Sequence, residues 1–421
     1  MSPIRRILRI TGIVLGAFAL VIVGVLVYVG LRWDARVERR VPELTAPRDQ
    51  TAIARGEFLY RASLTCWQCH SIGREANAPP TGGGRFDLTR LNPSLGVYYA
   101  PNITPDVETG IGGWTDGEIV RAIREGIRKD GRVLFPIMPV DPLHGLSDND
   151  ALALVAYLRT IPPVRNVVTA RQPSLFAKSL LTFGVIGPMK EISGPAAGPG
   201  RALTAEYGEY IARHASLCSD CHTPRNLKTG EIYYDSLLAG SSIRFGDDDK
   251  DPVSSYAPNL TSDLETGIGK WTEDQFLLLL RTGIGPDGKV RTHHMPYAYY
   301  GIWDSLELKA VYQFIRNIRP VHRMVPPSEF VRDAISADPL IKGRGLFDSY
   351  CIACHGQEGT GALPTNVVLR DVSPSLSDPE LTDFIMTGNP GLRMPGFGKT
   401  LSDDQLKAVV TYIRSWSSSG H

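Results

Sequence analysis

Three short segments of the chain carry two cysteines and then a histidine in the pattern Cys-X-X-Cys-His: Cys66–His70, Cys218–His222 and Cys351–His355. This pattern is the attachment site for c-type haem. Two thiols three residues apart lie near one face of a helical turn, where they can add to the two vinyl groups of one porphyrin. The histidine that follows can ligate the iron. The sequence therefore predicts three covalently bound haems.

The cysteine count leaves no thiol for another purpose. The chain has six cysteines, and all lie in the motifs: Cys66, Cys69, Cys218, Cys221, Cys351 and Cys354. A zinc site needs four ligands, usually from two closely spaced Cys-X-X-Cys pairs. Here the pairs lie far apart, and each has its own histidine. We therefore assign the histidines as iron ligands: His70, His222 and His355.

A six-coordinate haem needs a second axial ligand, and methionines that precede prolines are the candidates. Met-Pro occurs once downstream of each motif, at Met138, Met295 and Met394. A lone methionine is usually core filler, but this recurring context predicts thioether ligands, which raise the haem potential. His293 and His294 stand beside Met295 as alternative ligands, which would give a bis-histidine haem of lower potential.

Two stretches of the chain are near copies of each other. Residues 102–115 match residues 259–272 in the pattern Asn-X-Thr-X-Asp-X-Glu-Thr-Gly-Ile-Gly-X-Trp-Thr. The same number of residues then leads to Met138 and to Met295, which favours Met295 over its histidine neighbours. A duplication explains this register. The third module begins near Gly343, is shorter, and lacks the repeated segment.

Helices must position these residues. Each motif follows a predicted helix that carries a glycine, and each module ends in a predicted helix that carries an aromatic residue. The three pairs are Gly56 with Tyr157, Gly208 with Phe314, and Gly343 with Tyr412. A small residue that faces an aromatic one lets the first and last helices cross closely. Two closing helices have N-cap signals, at Ser147 and, in a capping box with Gln405, at Ser402.

The N-terminal region is a candidate membrane helix. Residues Ile10–Leu31 contain no charged side chain, and a helix of that length spans about 33 Å, roughly a bilayer core. A cleaved signal peptide would have a shorter apolar stretch and a small-X-small cleavage site, which residues 28–33 lack. We therefore favour an uncleaved anchor over a cleaved signal. Covalent haem is installed outside the bacterial cytoplasm, so the remaining chain is expected on the periplasmic side of the inner membrane.

A second apolar stretch lies in the linker after the first module. Residues Leu175–Met189 are interrupted by Lys178, by glycines and by a proline, and are too short to span a bilayer. Two interpretations remain open. The stretch contacts the membrane surface or a partner, or it packs against the haem domains. The overall charge is balanced, with 45 basic and 44 acidic residues, so nothing indicates nucleic-acid binding.

With these motifs, the chain resembles the membrane-bound triheme cytochrome c subunits of periplasmic dehydrogenases, over about residues 50–417. The marks of the resemblance are the duplicated Asn-to-Trp segment, each copy followed by Met-Pro, and the short third module. That family includes subunits of quinoprotein alcohol dehydrogenase and of flavin-dependent gluconate and sorbitol dehydrogenases, with related subunits in molybdenum hydroxylases. The motifs and the resemblance predict a mainly α chain with three tandem cytochrome c domains, at residues 50–163, 200–320 and 337–417. The apolar run adds one N-terminal transmembrane helix at residues 1–33, which departs from the many family members that have a cleaved signal.

The resemblance also implies a function in electron transfer. Electrons from a catalytic dehydrogenase subunit would pass through three haem c groups to ubiquinone or to a terminal oxidase or soluble cytochrome. The chain by itself is then expected to have no substrate chemistry. Two alternatives are a free-standing respiratory cytochrome and a haem enzyme such as a peroxidase or thiosulfate-oxidising cytochrome. An enzyme needs an open iron site with acid–base residues nearby, whereas three Met-Pro ligands leave no open iron.

Overall fold

The computed structural model describes residues 3–71, 79–87, 95–227, 230–248, 251–292, 294–327, 329–330, 336–361 and 368–416. The described chain is mainly helical, as the sequence predicted. After one long N-terminal helix, the same layout appears three times. An entry helix leads to a haem motif on a short helix, and a closing helix ends the module.

The N-terminal helix α1 (Pro3–Arg32) is long and apolar enough to cross a membrane. Its side chains are exposed along the whole length except for Val29, which is 1% exposed. A signal sequence near an N-terminus has the same length and composition. The helix therefore has the properties of a membrane anchor and of a signal sequence alike.

The first module places its haem motif between an entry helix and a closing helix. Its elements in chain order are α2 (Gln50–Phe58), a π-helical turn (Leu59–Ser63), α3 (Trp67–His70), β1 (Arg85–Asp87), β2 (Gly96–Tyr99), α4 (Asp116–Glu125), α5 (Val140–Leu143), α6 (Asp148–Thr160), β3 (Gln172–Pro173) and α7 (Leu175–Thr182). The predicted cap of α6 is present, because the Ser147 side chain accepts a hydrogen bond from the Asp150 N–H at 3.2 Å.

The second module repeats this order. Its elements are α8 (Ala205–Tyr210), a π-helical turn (Ile211–Ala215), α9 (Cys218–His222), a 3-10 turn (Tyr234–Ser236), β4 (Phe245–Asp248), β5 (Asp251–Ser255), α10 (Glu273–Thr282), α11 (Tyr297–Tyr300), α12 (Ser305–Asn317) and β6 (Glu329–Phe330). The π-helical turn before each motif recurs at the same place in both copies, which is the geometry expected of a duplication.

The third module is shorter, as predicted. Its helices are α13 (Pro339–Tyr350), α14 (Ile352–His355), α15 (Leu369–Val372), α16 (Asp378–Thr387) and α17 (Asp403–Ser415), with 3-10 turns at Gln357–Gly359, Ser373–Ser375 and Pro390–Leu392. The capping box predicted for α17 is present between Ser402 and Gln405. It satisfies two backbone N–H groups at the start of the helix.

Each of the first two modules also carries a small antiparallel sheet. The strand orders are β1-β2-β3 and β4-β5-β6. Tyr98 of β2 lies opposite Phe86 of β1, and Val253 of β5 lies opposite Phe330 of β6. The third strand of each sheet comes from the linker that follows the module. The linkers are therefore tied to the modules that precede them.

A glycine in each entry helix makes the predicted close crossing with the closing helix. A Cβ on these glycines would lie 1.9 Å from the Ala153 carbonyl oxygen at Gly56, 1.9 Å from that of Ala310 at Gly208, and 2.0 Å from that of Ala408 at Gly343. Any side chain would overlap the facing backbone at these distances. The close crossing of entry and closing helices is confirmed in all three modules.

One hydrophobic core joins the first two modules, while the third module has a separate core. The Trp303 indole N–H donates to the Ala62 carbonyl oxygen at 3.2 Å, across the boundary between the modules. Its ring also meets Phe58 edge-on, with ring centroids 5.7 Å apart. Large aromatic side chains contribute much of the apolar area in such contacts.

A partly buried ionic network crosses the same boundary. Arg55 donates to Asp150 at 2.8 Å and to Glu307 at 3.1 Å. The Tyr210 hydroxyl donates to Asp150 at 2.7 Å, and the Tyr207 hydroxyl donates to Glu307 at 3.3 Å. The side chains of Asp150 and Glu307 are only 11% and 6% exposed. Carboxylates this buried need their cationic partner.

The third module contacts the second through the loop that precedes Met295. The Val290 N–H donates to the Thr400 hydroxyl at 2.7 Å. Val290 is 7% exposed and belongs to the core of the third module rather than to its own. The loop that carries one predicted axial ligand is therefore held by the neighbouring module.

Candidate haem sites

The first motif lies on α3 with its histidine turned into the protein. His70 is 8% exposed, whereas Cys66 and Cys69 are partly exposed. The His70 Nδ1–H donates to the Pro101 carbonyl oxygen at 2.9 Å, which leaves the Nε2 lone pair for a metal. Burial lowers the pKa of His70, so the ring stays neutral as iron ligation requires. Such a backbone partner fixes the tautomer and the orientation of a ligand histidine.

The second motif on α9 has the same arrangement. His222 is 4% exposed, and its Nδ1–H donates to the Pro258 carbonyl oxygen at 2.8 Å. Burial lowers the pKa of His222 to about 4. Pro101 and Pro258 occupy equivalent places in the repeat, each directly before the duplicated asparagine. The sequence analysis missed both prolines, although their positions in the repeat were a usable signal.

The duplicated asparagines hold these carbonyl groups in place. Asn102 Nδ2 donates to Thr109 at 3.0 Å and to the Val164 carbonyl oxygen at 2.8 Å, while its Oδ1 accepts from the Thr104 N–H at 2.9 Å. Asn259 makes the matching set of bonds with equal distances. Because Asn102 and Asn259 are 3% and 2% exposed, the repeated segment serves to fix the loop behind each histidine.

A glycine also binds the backbone of each motif histidine. The histidine carbonyl oxygen accepts a glycine N–H in all three modules: His70 from Gly82 at 2.7 Å, His222 from Gly240 at 2.7 Å and His355 from Gly361 at 2.8 Å. These glycines have φ values of +78°, +98° and +91°, which side chains with a Cβ rarely adopt. This shared contact links the third motif to the first two, although its surrounding loops differ.

The surroundings of the cysteines suit a thioether better than a thiolate. Burial raises the pKa of the thiols of Cys66, Cys221 and Cys351 to about 12, because a thiolate would lose its hydration there. A thioether carries no charge and avoids that cost. Among the residues that the structure describes, no three His, Cys, Asp or Glu side chains converge as a zinc site would require.

The predicted methionine ligands occupy matching turns in the first two modules. The Met138 carbonyl oxygen accepts from the Val140 N–H at 2.7 Å, and that of Met295 accepts from the Tyr297 N–H at 2.8 Å. The intervening prolines have φ and ψ of −75° and +62° at Pro139 and of −79° and +61° at Pro296, which is an inverse γ-turn. Both methionines pack against the shared core.

The third methionine is held differently. Met394 exchanges two backbone hydrogen bonds with Asn389, at 2.9 Å and 3.0 Å, and packs against the core of the third module. Of the alternative ligands beside Met295, His293 lies outside the described residues. His294 forms a hydrogen bond to the Ser255 hydroxyl of β5.

An aromatic cluster that the sequence analysis missed lies where the three motifs approach one another. Its members, here called the aromatic junction, are Trp67, Tyr299, Tyr300 and Trp303. Trp67 lies between the two cysteines of the first motif, and its ring centroid is 4.8 Å from that of Tyr299. Tyr300 meets Trp303 edge-on at 5.0 Å. All four are buried.

Two tyrosines of the aromatic junction lie close to the other motifs. Burial raises the pKa of the Tyr299 phenol, and the nearby Cys354 adds to the rise. Burial raises the pKa of Tyr300 as well, and Cys218 and Cys221 add to it. Helix α11 therefore contacts Trp67 of the first motif and lies near cysteines of the other two. The signal in the sequence was a break in the repeat, because aromatic Tyr297–Tyr300 replaces Val140–Leu143.

Comparisons with known proteins agree with the geometry of the motifs. A cytochrome c family model matches residues 53–162, and a model of cytochrome C oxidase, cbb3-type, subunit III matches residues 338–413. Cytochrome c55X of Paracoccus denitrificans is 33% identical over 86 residues, which cover 75% of that protein and 19% of this chain. The chain belongs to the cytochrome c family. Cytochrome c domains imply covalently bound haem c, and the second motif lies between the two matched segments.

Several longer relatives of this cytochrome are subunits of dehydrogenases. The cytochrome c subunit of a quinone-dependent alcohol dehydrogenase from Gluconobacter oxydans is 27% identical over 392 residues, covering 87% of this chain and 78% of the relative. The gluconate 2-dehydrogenase cytochrome c subunit of Pantoea cypripedii is 29% identical over 409 residues, covering 86% and 85%. The resemblance to dehydrogenase cytochrome c subunits is confirmed.

Proposed function

We propose that this cytochrome carries three haem c groups, one at each motif. Thioether bonds would come from Cys66, Cys69, Cys218, Cys221, Cys351 and Cys354, and axial nitrogen ligands from His70, His222 and His355. The support is the local geometry that the motifs share, with a glycine N–H bound to each histidine carbonyl oxygen. When bound, haem c supplies reversible one-electron chemistry, for which the protein provides ligands and a buried environment.

The proposed sixth ligands are Met138, Met295 and Met394. Each lies on a constrained turn at the border of a hydrophobic core, in a partly buried position. Such a position suits a thioether that must reach an iron while the backbone around it stays fixed. Methionine ligation raises the potential, which favours electron acceptance from a donor protein.

The three motifs correspond to three proposed cytochrome c domains at residues 50–163, 200–320 and 337–417, after a membrane helix at residues 1–33. The support for the second domain is its equivalence to the first. The same strands, π-helical turn, asparagine contacts and Met-Pro turn recur there. In this arrangement α1 would cross the bacterial inner membrane once, with the haem domains on the periplasmic side.

The proposed activity is electron transfer from the catalytic subunit of a periplasmic dehydrogenase to ubiquinone or a terminal respiratory acceptor. The observation that carries it is that the first two modules share one core, while the loop before Met295 is held by the third module. This packing supports a single electron path through all three motifs. The longer relatives are cytochrome c subunits of alcohol and gluconate dehydrogenases. Substrate oxidation would belong to the partner, of quinoprotein, flavoprotein or molybdenum type, and not to this chain.

Haem content and partner can be tested on protein purified from membranes in mild detergent. The intact mass is expected to show three haem additions, and a co-purifying large subunit with dehydrogenase activity is expected. Two additions would contradict the haem count. A cytochrome that purifies alone and accepts electrons from a respiratory complex would favour a free-standing carrier. Substrate turnover by the purified chain alone would favour a haem enzyme.

A further inference from the structure

An exposed apolar patch lies in the linker after the first module. It consists of two side chains of α7 and two that follow it: Leu175, Phe176, Phe183 and Val185. We call these residues the linker patch. Their side chains are 42–60% exposed. Clusters of large exposed apolar side chains on one segment mark interaction sites, whereas single exposed apolar side chains are ordinary surface.

The linker patch is held rigidly by the first module. On the inner side of the same segment, Ala177 and Ile186 are 0% and 8% exposed and pack in a small core with Tyr98 and Phe135. The Ser174 side chain caps α7 by accepting the Ala177 N–H at 3.1 Å. Strand β3, directly before the helix, pairs with β2. The patch is therefore a fixed surface of the module.

The linker patch adjoins the C-terminal end of α1. The Phe183 ring centroid lies 6.4 Å from that of Tyr28. Tyr28 precedes Arg32, the last residue of α1, by one helical turn, or about 6 Å along the helix axis. Phe183 thus contacts α1 about one turn below the point where its charge-free run ends.

The side chains just above this level are those of a membrane interface. Two cations lie near the Trp33 ring, with Lys178 Nζ 5.1 Å and Arg171 Cζ 5.2 Å from its centroid. Tryptophan, tyrosine and basic side chains concentrate where the bilayer meets water. A lysine at the height of Lys178 can extend to the phosphate groups of lipids, whereas Arg171 pairs with Asp34 and donates to the Val133 carbonyl oxygen.

The chain between α1 and the first module is not a loose tether. The Val37 N–H donates to the Gly131 carbonyl oxygen at 2.8 Å, and Arg39 forms an ion pair with Glu125 at 2.9 Å. Arg121 also donates to the Arg39 carbonyl oxygen at 2.9 Å. If α1 spans a bilayer, these contacts fix the height of α7 relative to that bilayer.

We propose that the linker patch inserts into the periplasmic leaflet beside α1, so that α7 lies in the membrane plane as an interfacial helix. Interfacial helices bury their apolar face about 5–10 Å below the headgroups, which matches the level of Phe183 on α1. Two contacts with the membrane, at α1 and at the patch, then set the orientation of the first haem module towards the bilayer. The inference rests on the proposed anchoring by α1.

Photo-crosslinking to lipid tests whether the linker patch inserts into the bilayer. The full-length holoprotein would be reconstituted in phosphatidylcholine vesicles that contain a phospholipid with a diazirine near its headgroup, and adducts would be mapped by mass spectrometry. We expect adducts in α1 and in residues 172–190. We expect none around Leu264, which is 61% exposed in the second module. Adducts on α1 without any on residues 172–190 overturn the inference, whereas absence of both contradicts the proposed anchor instead.

Replacing apolar side chains of the linker patch by charged ones provides a second test. The double variant Phe176→Glu and Phe183→Glu should keep its haem spectrum, because both side chains are exposed, and should lose the adducts on residues 172–190 while α1 keeps its own. The matched control, Leu264→Glu, should leave the adduct pattern unchanged. Loss of the wild-type adducts when a co-purified catalytic subunit is added would assign the patch to protein contact and overturn the membrane assignment.

Discussion

The histidines of the first two motifs owe their orientation to residues more than thirty positions further along the chain. Pro101 and Pro258 supply the carbonyl oxygens that accept from His70 and His222. A proline has no N–H of its own to bond, and the neighbouring buried asparagine holds its carbonyl group in place. The duplicated segment is therefore part of the support around these two histidines. This explains why so long a motif accompanies the first two attachment sites.

The proposed ligand of the third haem can be tested by exchange. Met394→His is expected to lower the potential of one haem by on the order of a few tenths of a volt, within the ~0.8 V range that axial ligands set. The reason is that imidazole stabilises oxidised iron more than a thioether does. Spectroelectrochemical titration measures the change. Met386→His is the control, because Met386 is 42% exposed in the same module and should change no potential. Three unshifted potentials in Met394→His would disprove the assignment.

The second haem needs a separate test because histidines adjoin Met295. Met295→Ala should convert one haem from low spin to high spin, seen in the oxidised absorption and paramagnetic resonance spectra. His294→Ala should leave the spin state unchanged, since its ring bonds to Ser255 in the structure. The opposite pair of results would identify histidine as the ligand.

At the scale of elements, the glycine that binds the backbone of each motif histidine is expected to be more important than other glycines of the same conformation. Gly82 has φ +78°, and a Cβ there would lie 2.4 Å from the Pro101 carbonyl carbon. Gly230 has φ +81° but nothing within 4 Å. Gly230→Ala should lower the free energy of unfolding by about 1–2 kcal/mol, which is the penalty for a residue with a Cβ in the left-handed conformation.

Gly82→Ala should lower the free energy of unfolding clearly more than Gly230→Ala does, because the Pro101 carbonyl group that orients His70 must also move. Guanidinium denaturation followed by circular dichroism gives the stabilities, and the spectrum of the first haem reports the histidine. Equal losses in the two variants would show that the close approach to Pro101 has no consequence.

The ionic network between entry and closing helices gives a second prediction at this scale. Arg55→Met leaves Asp150 buried without its cation and leaves Glu307 with only Arg201, 4.0 Å away. The free energy of unfolding of the first two modules should therefore fall by about 3–5 kcal/mol. Arg165→Met is the matched control. Both side chains of its pair with Glu108 are more than half exposed, and such pairs contribute about 0–1 kcal/mol. A similar small effect of both variants in denaturant titrations would contradict this account.

Some elements were predictable from sequence and others were not, for physical reasons. The crossing glycines and the Ser402 capping box are local signals, because a helix fixes which residues face each other. Strand β3 has only the two residues Gln172–Pro173, too short for an alternating pattern. Strand β3 forms because it pairs with β2 through backbone hydrogen bonds, and a tertiary contact of this kind produces no pattern in the local sequence.

For the molecule as a whole, the sequence predicted three haem motifs and their ligand types but not how the modules meet. The repeat suggests separate domains, whereas Trp303 and Phe58 belong to one core shared by two modules. The aromatic junction arises from chain segments more than two hundred residues apart. Its one signal was the place where the repeat fails. Departures from an internal repeat thus indicate where copies of a module contact each other.

A conduit made of several haems predicts a specific failure when one haem is removed. In the variant Cys218→Ala and Cys221→Ala, the second module should lack its covalent haem, and delivery of electrons to quinone or oxidase should fall to background. The partner's oxidation of its substrate with an artificial dye should persist, because the dye takes electrons from the catalytic subunit directly. Quinone reduction and dye-linked substrate oxidation would both be measured in membranes. Loss of the first rate alone indicates a broken electron path, whereas loss of the catalytic subunit would abolish both rates. Undiminished quinone reduction would place the second haem outside the path.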